Sequence, residues 1–157
     1  MSLALADLDG DGCLDLVVGN SGYNRLYLND GKGTFAEGAG SRMPPSGEGT
    51  LALAVGDVDG DGDRDLVCGN HHCQNRLLLN DGKAGFTCAM PENLPERRDC
   101  TRALASGDVD GDGDLDLICG NIGDPNGAHK QNRLFVNDGK GAFADATAAR
   151  LSRKGVV

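Results

Sequence analysis

Three acidic segments have the residue types and spacing to bind a divalent cation. Residues 7–15, 57–65 and 108–116 share one nine-residue pattern, with aspartate at positions 1, 3, 5 and 9 and glycine at positions 4 and 6. Carboxylate oxygens are ligands that Ca²⁺ prefers, and the glycines permit the tight turn that brings the carboxylates together. The pattern therefore predicts three calcium-binding loops.

A solvated turn is the alternative to a metal site, because Asp and Gly both favour turns without any metal. Three copies that keep all four carboxylates argue against it, since crowded carboxylates repel one another unless a cation neutralises them. About six or seven oxygens per loop favour Ca²⁺ over the more tightly hydrated Mg²⁺. An EF-hand is excluded, because its acidic ligand at position 12 is replaced here by Val18, Cys68 and Cys119. We expect about three structural calcium ions per chain.

The acidic loops belong to a tandem repeat of about 50 residues, since they begin at residues 7, 57 and 108. Each loop is followed by an apolar run ending in Gly-Asn, an Asn-Arg-Leu segment, an Asn-Asp-Gly-Lys turn and a Phe. The approximate units are residues 1–49, 50–99 and 100–157. Together they form one repeat array.

Short strands and tight turns are expected in each unit. The chain has 25 glycines among 157 residues and no tryptophan, a composition that argues against long helices. Apolar segments flank each acidic loop, and the later Asp-Gly pair favours a hairpin. We therefore predict an all-β fold of three four-stranded antiparallel meanders, with the calcium loop between strands one and two. First strands are expected at 3–6, 51–55 and 103–106, and third strands at 24–29, 75–80 and 132–137.

The direction of the strands sorts the connections onto two faces. In a meander the first and third connections of each unit emerge on one side, and the second and fourth on the other. The acidic loops and Asp-Gly hairpins therefore share a face, and the connections that differ between units share the opposite face. Uniform loops are expected to hold structure, and divergent ones to carry recognition. The divergent connections are 21–23, 71–74, 122–131, 37–49, 87–98 and residues from 144 onward.

The fixed order of acidic loop, strand, hairpin and aromatic residue resembles the FG-GAP/VCBS repeats of integrin-alpha-like β-propellers. All three units carry it, and the third reads Asp-Val-Asp-Gly-Asp-Gly-Asp-Leu-Asp-Leu, then Gly-Asn, then Asn-Arg-Leu-Phe-Val-Asn-Asp-Gly-Lys-Gly-Ala-Phe. The resemblance implies β-propeller-type blades stabilised by calcium. It also implies an extracellular or cell-surface parent protein that serves adhesion or binds carbohydrate or protein.

The resemblance further implies which residues bind the ions. Side chains at positions 1, 3, 5 and 9 would supply carboxylate oxygens, and position 7 would supply a backbone carbonyl. The carboxylate ligands would be Asp7, Asp9, Asp11, Asp15, Asp57, Asp59, Asp61, Asp65, Asp108, Asp110, Asp112 and Asp116. The carbonyl ligands would come from Cys13, Asp63 and Asp114.

Three blades are fewer than the roughly four to eight of closed propellers, and an open array leaves exposed sheet edges. We expect the chain to be part of a larger propeller, to be completed by self-assembly such as a six-bladed homodimer, or to depart from the closed architecture.

Charge and hydropathy exclude two classes of partner. The formal charge is −9, and half of the 24 acidic residues occupy the loop positions 1, 3, 5 and 9, where carboxylate ligands are predicted. Each ion adds two charges, so three ions would bring the total to about −3. No basic stripe is present to bind nucleic acid, and no apolar run approaches the roughly 20 residues that span a bilayer. The first residues do not resemble a signal peptide, so we expect any targeting signal to lie elsewhere in a longer parent protein.

The cysteines and histidines leave several alternatives open. Cys68 and Cys119 occupy equivalent apolar positions and are expected to be buried small hydrophobes. A Cys88–Cys100 disulfide is one of fifteen pairings that six cysteines allow in an oxidising compartment. His71, His72, Cys73 and His129 fall in divergent connections, where a zinc or copper site competes with ordinary polar loop residues. Tyr23 lies in another divergent connection, where it is either an incidental surface residue or a platform for a sugar.

These features favour a non-catalytic module for adhesion or for recognition of protein or glycan, with calcium in a structural role. A propeller-based hydrolase or lyase is the alternative. It would need a nucleophile with a base or an open metal site, and the sequence has no Gly-x-Ser-x-Gly and no His-Glu-x-x-His motif. A structural spacer within a longer array is the third alternative.

Overall fold

The computed structural model describes residues 1–38, 42–45, 47–89, 93–123 and 131–151. Within these residues the chain forms three four-stranded antiparallel sheets, one per sequence unit, which confirms the predicted all-β repeat fold. The first sheet contains β1 (Ser2–Ala6), β2 (Asp15–Gly19), β3 (Arg25–Asn29) and β4 (Phe35–Glu37). The second contains β5 (Thr50–Gly56), β6 (Asp65–Asn70), β7 (Arg76–Asn80) and β8 (Phe86–Ala89). The third contains β9 (Cys100–Gly107), β10 (Asp116–Ile122), β11 (Arg133–Asn137) and β12 (Phe143–Asp145), followed by α1 (Thr147–Arg150).

Consecutive strands are neighbours in every sheet, so each unit is a meander. The third strand of each unit begins one residue later than predicted, because the asparagine before it caps the preceding turn. Asn75 Oδ1 accepts a hydrogen bond from the amide of Asn70 at 2.9 Å. Asn132 accepts the equivalent bond from Asn121 at 2.9 Å. The recurrent Asn-Arg-Leu segment therefore starts with a turn residue rather than a strand residue.

The hydrophobic core lies in two layers between the sheets. Val17 and Leu66 belong to the layer between the first and second sheets, and Leu77 and Phe135 belong to the layer between the second and third. Every residue of β6 is buried, because the middle sheet is covered on both faces. The first strands of the three units are adjacent, since β1 packs on β5 and β5 packs on β9.

The acidic loops take part in the contacts between sheets. Their second residues, Leu8 and Val58, are buried in the two core layers. Asn80 Nδ2 donates a hydrogen bond to the carbonyl of Leu8 at 2.9 Å, and Asn137 Nδ2 donates to the carbonyl of Val58 at 2.7 Å. In the second and third units, the asparagine that starts the Asp-Gly hairpin thus ties its own sheet to the acidic loop of the preceding unit.

A Thr-Asn contact ties the sheets at the opposite ends of the strands. Thr101 Oγ1 donates a hydrogen bond to Asn121 Oδ1 at 2.8 Å and accepts one from Asn75 Nδ2 at 3.0 Å. A Cβ atom on Gly69 would lie 2.8 Å from Thr101 Cγ2, which is too close for any side chain at that position. The threonine of the following unit therefore explains the glycine in the first two Gly-Asn pairs, whereas the asparagine in the second and third pairs accepts a hydrogen bond from the threonine of its own unit.

The outer faces of the first and third sheets carry exposed apolar side chains. Leu3 and Leu5 are exposed on β1, and Ile118 is exposed on β10. Phe35 is 43% exposed whereas its repeat equivalent Phe86 is 6% exposed, because a preceding sheet packs on Phe86. The two end sheets of this chain therefore present uncovered apolar surface.

All six cysteines are free thiols. The predicted burial of Cys68 and Cys119 is confirmed, and burial raises the pKa of each thiol to about 12. The Cys88–Cys100 disulfide is not formed. Cys88 lies on the last strand of the second sheet and Cys100 on the first strand of the third, so the two residues occupy opposite edges of neighbouring sheets.

Candidate metal centres

The first aspartate of each acidic loop folds the backbone around itself. Gly10 and Gly12 have φ angles of +79° and +87°, which disfavour any side chain at either position. Their amides donate hydrogen bonds to Asp7 Oδ1 and Oδ2 at 2.8 and 3.0 Å. Asp57 and Asp108 accept the equivalent pairs of bonds in their own loops. The tight turn expected from the sequence is present in all three loops.

The third and fifth positions add shorter turns of the same kind. Asp11 Oδ1 accepts a hydrogen bond from the amide of Cys13 at 2.7 Å, and Asp9 Oδ1 accepts one from the amide of Asp11 at 3.3 Å. Each carboxylate has about four lone-pair sites, so these bonds leave acceptor capacity for a cation. The loop is thus held in shape by its own hydrogen bonds, and its carboxylate oxygens keep acceptor sites that a cation could use.

The ninth aspartate has a structural role that its spacing did not indicate. Asp65 is 1% exposed, and its Oδ2 and Oδ1 accept hydrogen bonds from the amides of Val58 and Asn80 at 3.0 and 2.9 Å. Asp15 and Asp116 make the same pair of contacts in their own units. The ninth carboxylate therefore joins the acidic loop to the end of the third strand, whether or not it also binds a metal.

Carboxylate oxygens of each loop converge on a small volume. In every loop, one oxygen from each of three aspartates lies within 4.8 Å of the other two. Two oxygens on opposite sides of one calcium ion are about 4.6–5.2 Å apart, so these separations suit a shared ion. The groups are Asp7, Asp9 and Asp15; Asp57, Asp59 and Asp61; and Asp108, Asp110 and Asp116. The predicted ligands Asp11, Asp65 and Asp112 lie outside these groups of three.

Seventh-position side chains point toward the hairpin of the same unit. A Cβ atom on Gly82 would lie 2.6 Å from Asp63 Oδ2, and one on Gly31 would lie 3.0 Å from Cys13 Sγ. Asp114 approaches Gly139 in the same way. The positive φ angle of the glycine in each Asn-Asp-Gly-Lys turn favours glycine there, and the absence of a Cβ atom also leaves room for these side chains. Ligation through the carbonyls of Cys13, Asp63 and Asp114 stays a prediction.

Several carboxyl groups of the loops have raised pKa values, because they are partly buried and lie close to other negative charges. Burial raises the pKa of Asp9, and the neighbouring Asp15 raises it further. The pKa of Asp59 is raised by burial and by the charges of Asp61 and Asp57. Burial raises the pKa of Asp65 to about 6. These carboxylates are destabilised as anions, and a divalent cation among them would offset that cost.

The third loop differs, because Arg150 of α1 reaches it. Arg150 hydrogen-bonds Asp110 and lowers the pKa of that carboxyl group. The sequence offered no signal for this contact, since Arg150 lies beyond the last element that the three units share, the Phe at position 143. The guanidinium of Arg150 therefore already offsets part of the negative charge of Asp110 in the third loop.

The donor set fits a hard cation. The three acidic groups offer only carboxylate oxygens, and each group comes from one short loop. Hydrogen bonds from backbone amides hold the first carboxylate of the loop in place. Oxygen donors at these separations match Ca²⁺ better than zinc or copper, which favour nitrogen and sulfur.

The structure groups the two neighbouring histidines with a different cysteine from the one that the sequence suggested. His71 and His72 lie close together, but the sulfur beside them belongs to Cys100 rather than to Cys73. The prediction for His129 falls outside the described residues.

A cleft of about 190 Å³ opens on the face opposite the acidic loops. Its walls include Tyr23, Arg25, Glu37, Met43 and Pro44. Tyr23 is 71% exposed, and Arg25 Nε lies 3.7 Å from Glu37 Oε1 in an exposed ion pair. The cleft therefore combines an accessible aromatic ring with a hydrogen-bond donor and an acceptor. Tyr23, Glu37, Met43 and Pro44 belong to the divergent connections where recognition was expected, whereas Arg25 belongs to the recurrent Asn-Arg-Leu segment on β3.

The described residues contain no helix long and apolar enough to cross a bilayer. A comparison with curated protein sequences found no match. Among solved structures, the chain is similar to a lectin from Agrocybe aegerita, solved for its specific recognition of non-reducing terminal N-acetylglucosamine, with a TM-score of 0.57 and 22% identity. The match covers 90% of this chain and 36% of the lectin chain, so this chain spans about a third of that protein. At this identity the likeness concerns the fold.

The model of the FG-GAP-like repeat matches residues 7–68, 57–119 and 108–156. Each match begins at one acidic loop and runs through the apolar run of the following unit or to the end of the array, so the matches start at the three acidic loops and overlap one another. The chain belongs to the FG-GAP-like repeat family.

Proposed function

We propose that this chain is a calcium-stabilised, non-catalytic recognition module of β-propeller type that binds a glycan on the face opposite its acidic loops. A protein ligand on the same face is the alternative. The cleft beside Tyr23 is the observation that carries the recognition part of the proposal. The converging carboxylates carry the calcium part.

Each loop would hold one calcium ion through its aspartates at positions 1, 3, 5 and 9, with the carbonyl of position 7 as a further ligand. The ion supplies neutralisation of the clustered charge and takes no part in a reaction. The raised pKa values of Asp9 and Asp59 support a need for such neutralisation.

Calcium in the loops would stabilise the array as well as each loop. Leu8 and Val58 bury their side chains in the core between sheets, and their carbonyls accept hydrogen bonds from the following unit. Repulsion that opened a loop would therefore withdraw an apolar side chain and a hydrogen bond from the contact between sheets. This coupling supports a structural role for the metal.

The glycan part of the proposal depends on the chemistry of the cleft. A sugar ring has an apolar face of C–H groups, which packs on an aromatic ring, and a rim of hydroxyls, which bind charged donors and acceptors. Tyr23 offers the ring, and Arg25 and Glu37 offer the polar groups. The similar fold of a lectin that recognises terminal N-acetylglucosamine supports a carbohydrate over other ligand classes.

A glycan array probed in calcium, with Tyr23→Ala beside the parent chain, tests this proposal. We expect a defined set of glycans to bind the parent chain and to lose at least about tenfold in affinity with the variant. Phe35→Ala is the matched control, since Phe35 is also an exposed aromatic but does not line the cleft. Equal loss in both variants, or binding of proteins alone, would contradict the glycan assignment. Turnover of any bound glycan would contradict the non-catalytic assignment.

We place the module at the cell surface or outside the cell. Calcium sites of extracellular modules have dissociation constants of about 10⁻⁴–10⁻³ M, which suit exposed loops built from a few residues. A calcium titration that gave dissociation constants near those of intracellular sensors would argue against this location.

A further inference from the structure

A second kind of ligand cluster lies at the opposite ends of the strands, between the second and third units. It consists of His71, His72 and Cys100, whose ring nitrogens and sulfur lie within 4.8 Å of one another. The two histidines are exposed and Cys100 is buried. The cluster is thus anchored in the fold on its sulfur side and open to solvent on its imidazole side.

Strand ends bring these residues together. His71 and His72 follow β6 in the turn to β7, and Cys100 is the first residue of β9, which packs on β5 and β6. The amide of His71 donates a hydrogen bond to the carbonyl of Gly49 at 2.8 Å. The two imidazole rings have centroids 4.4 Å apart and planes at 62°. Backbone packing therefore gathers the three side chains without a metal.

The equivalent junction between the first and second units shows that these positions meet in the repeat itself. There the three positions hold Ser21, Gly22 and Gly49. A Cβ atom on Gly49 would lie 3.8 Å from the Cα atom of Ser21. The second junction thus replaces three small residues that carry no strong metal ligand with two imidazoles and a thiol, all at one point in space.

We propose that His71, His72 and Cys100 form a zinc-binding site, with water at the fourth position. Imidazole nitrogen and thiolate sulfur are the ligands that Zn²⁺ prefers, and three protein ligands leave one exchangeable position. In a tetrahedral site these atoms are about 3.3–3.6 Å apart, so an approach of roughly 1 Å by the exposed imidazoles completes the geometry. Zinc binding would release the Cys100 thiol proton to solvent and leave the thiolate on the metal.

His72 has a feature that supports this site. Its φ angle is +54°, and it is one of two residues other than glycine with positive φ in the described part of the chain. The left-handed conformation is unfavourable for most side chains, although Asn, Asp and His adopt it more readily than others. Glycine stands at the equivalent position of the first unit. A histidine therefore stands at a position where the backbone favours glycine.

This site is independent of the acidic loops. The loops offer carboxylate oxygens for a hard cation, whereas the His-Cys cluster offers softer nitrogen and sulfur donors at the other ends of the strands. The bound zinc would link the turn after β6 to the first strand of the third unit, across the contact between two sheets.

Cobalt(II) spectroscopy of the whole chain in saturating calcium tests the site, since calcium keeps cobalt out of the acidic loops. We expect one cobalt per chain, visible ligand-field bands of a tetrahedral ion, a thiolate-to-cobalt charge-transfer band, and displacement by one equivalent of zinc. The variant His71→Ser with His72→Gly restores the residues of the first junction. It should weaken zinc binding by about 100-fold or more, because even changes behind the ligands cost about 10–100-fold.

Cys100→Gly completes the match to the first junction and should abolish the charge-transfer band. Cys73→Ser is the control, since Cys73 is the adjacent thiol outside the cluster. If Cys100→Gly unfolds the chain, the histidine double variant still tests the zinc site, because both of its substitutions lie at exposed positions and should leave the fold intact. Unchanged zinc affinity in the histidine variant, or loss of the charge-transfer band with Cys73→Ser alone, would overturn the proposal.

Discussion

Arg150 Nη1 lies 2.7 Å from Asp110 Oδ2, so the helix after the last strand places a guanidinium in the third acidic loop. At the equivalent positions of the other loops, the pKa values of Asp9 and Asp59 are raised, whereas that of Asp110 is lowered. The three loops share a sequence pattern but not an electrostatic state. A cation entering the third loop must compete with an arginine.

We predict that Arg150→Gln strengthens calcium binding at the third loop. The substitution removes the competing charge and leaves the loop residues intact, so affinity at that loop should rise by about two- to fivefold, as expected for a partly exposed ion pair. Calorimetric titration of the whole chain with calcium should then show the dissociation constant of the weakest site approaching those of the other two sites. Arg102→Gln is the charge-matched control, because Arg102 is exposed near the opposite end of β9. If the calcium affinity of all three sites changed equally in both variants, the cause would be the net charge of the protein rather than the contact between Arg150 and Asp110.

Calcium removal should lower the thermal stability of the chain. A site occupied at 100 times its dissociation constant contributes about 2.7 kcal/mol to the free energy of unfolding. Asp57→Asn removes one predicted ligand of the second loop and one of the two acceptors for Gly60 and Gly62. We expect calorimetry to show a smaller calcium-dependent increase in Tm for this variant than for the parent chain. Equal melting temperatures in calcium and in chelator would refute the structural role of the metal.

Asn137→Ala should destabilise the contact between the second and third sheets. Asn137 is buried, and its Nδ2 donates hydrogen bonds to the carbonyls of Val58 and Leu115 at 2.7 and 3.2 Å. Leaving these buried carbonyls unpaired should cost about 2–4 kcal/mol in the free energy of unfolding. The chain supplies its own control in Asn29→Ala. Asn29 is the repeat equivalent, and among the residues that the structure describes its Nδ2 donates only to the carbonyl of Leu14, within its own unit.

For Asn29→Ala we expect a loss of less than about 1 kcal/mol, since the partner carbonyl of Leu14 stays accessible to water. Urea denaturation in calcium would measure both variants. Similar losses in the two would show that the hydrogen bond to the preceding unit adds little.

The Asp-Gly hairpins should contribute to stability at neutral pH and lose that contribution in acid. Asp81 Oδ1 accepts hydrogen bonds from the amides of Gly85 and Lys83 at 2.9 and 3.0 Å, which lower the pKa of the carboxyl group. A lowered folded-state pKa stabilises the fold above the usual value of 3.8 and ceases to do so as pH falls through the folded-state pKa. Asp30 and Asp138 have lowered pKa values for the same reason.

Asp81→Asn keeps the acceptor oxygen but removes the titrating group. Urea denaturation in chelator at about pH 5 and pH 3 should therefore show a smaller acid-induced loss of stability in the variant than in the parent chain. The triple variant with Asp30→Asn and Asp138→Asn should reduce the loss further. An identical pH dependence in all chains would mean that other groups control acid unfolding.

The uncovered end sheets predict self-association of this chain in solution. Leu3 and Leu5 on β1 and Ile118 on β10 are exposed apolar residues on sheets whose inner faces already pack against the middle sheet. Leu5→Glu should shift sedimentation velocity profiles toward the monomer, because a charge at the contact is costly to bury. Leu14→Glu, at an exposed loop position, is the control. Monomeric behaviour of the parent chain at high concentration would contradict this expectation.

Local chemistry made much of the fold predictable. Strand-forming segments, Asp-Gly turns and acidic loops depend on neighbours within about ten residues, and three copies of the same pattern removed the ambiguity of any one copy. The first residue of the third strands was misplaced because Asn75 bonds back to Asn70, a capping contact that propensity does not reveal.

The sequence by itself determined the repeat, the meander and the clustering of aspartates, because these follow from residue spacing along one short stretch of chain. Only the tertiary structure decided which distant groups meet these elements. It placed Arg150 beside Asp110, bound Asp65 to the amide of Asn80, and brought Cys100 to His71 and His72. The first two contacts join parts of one unit that lie 40 and 15 residues apart in sequence, and the third forms where two units pack, so no local pattern encodes these partners.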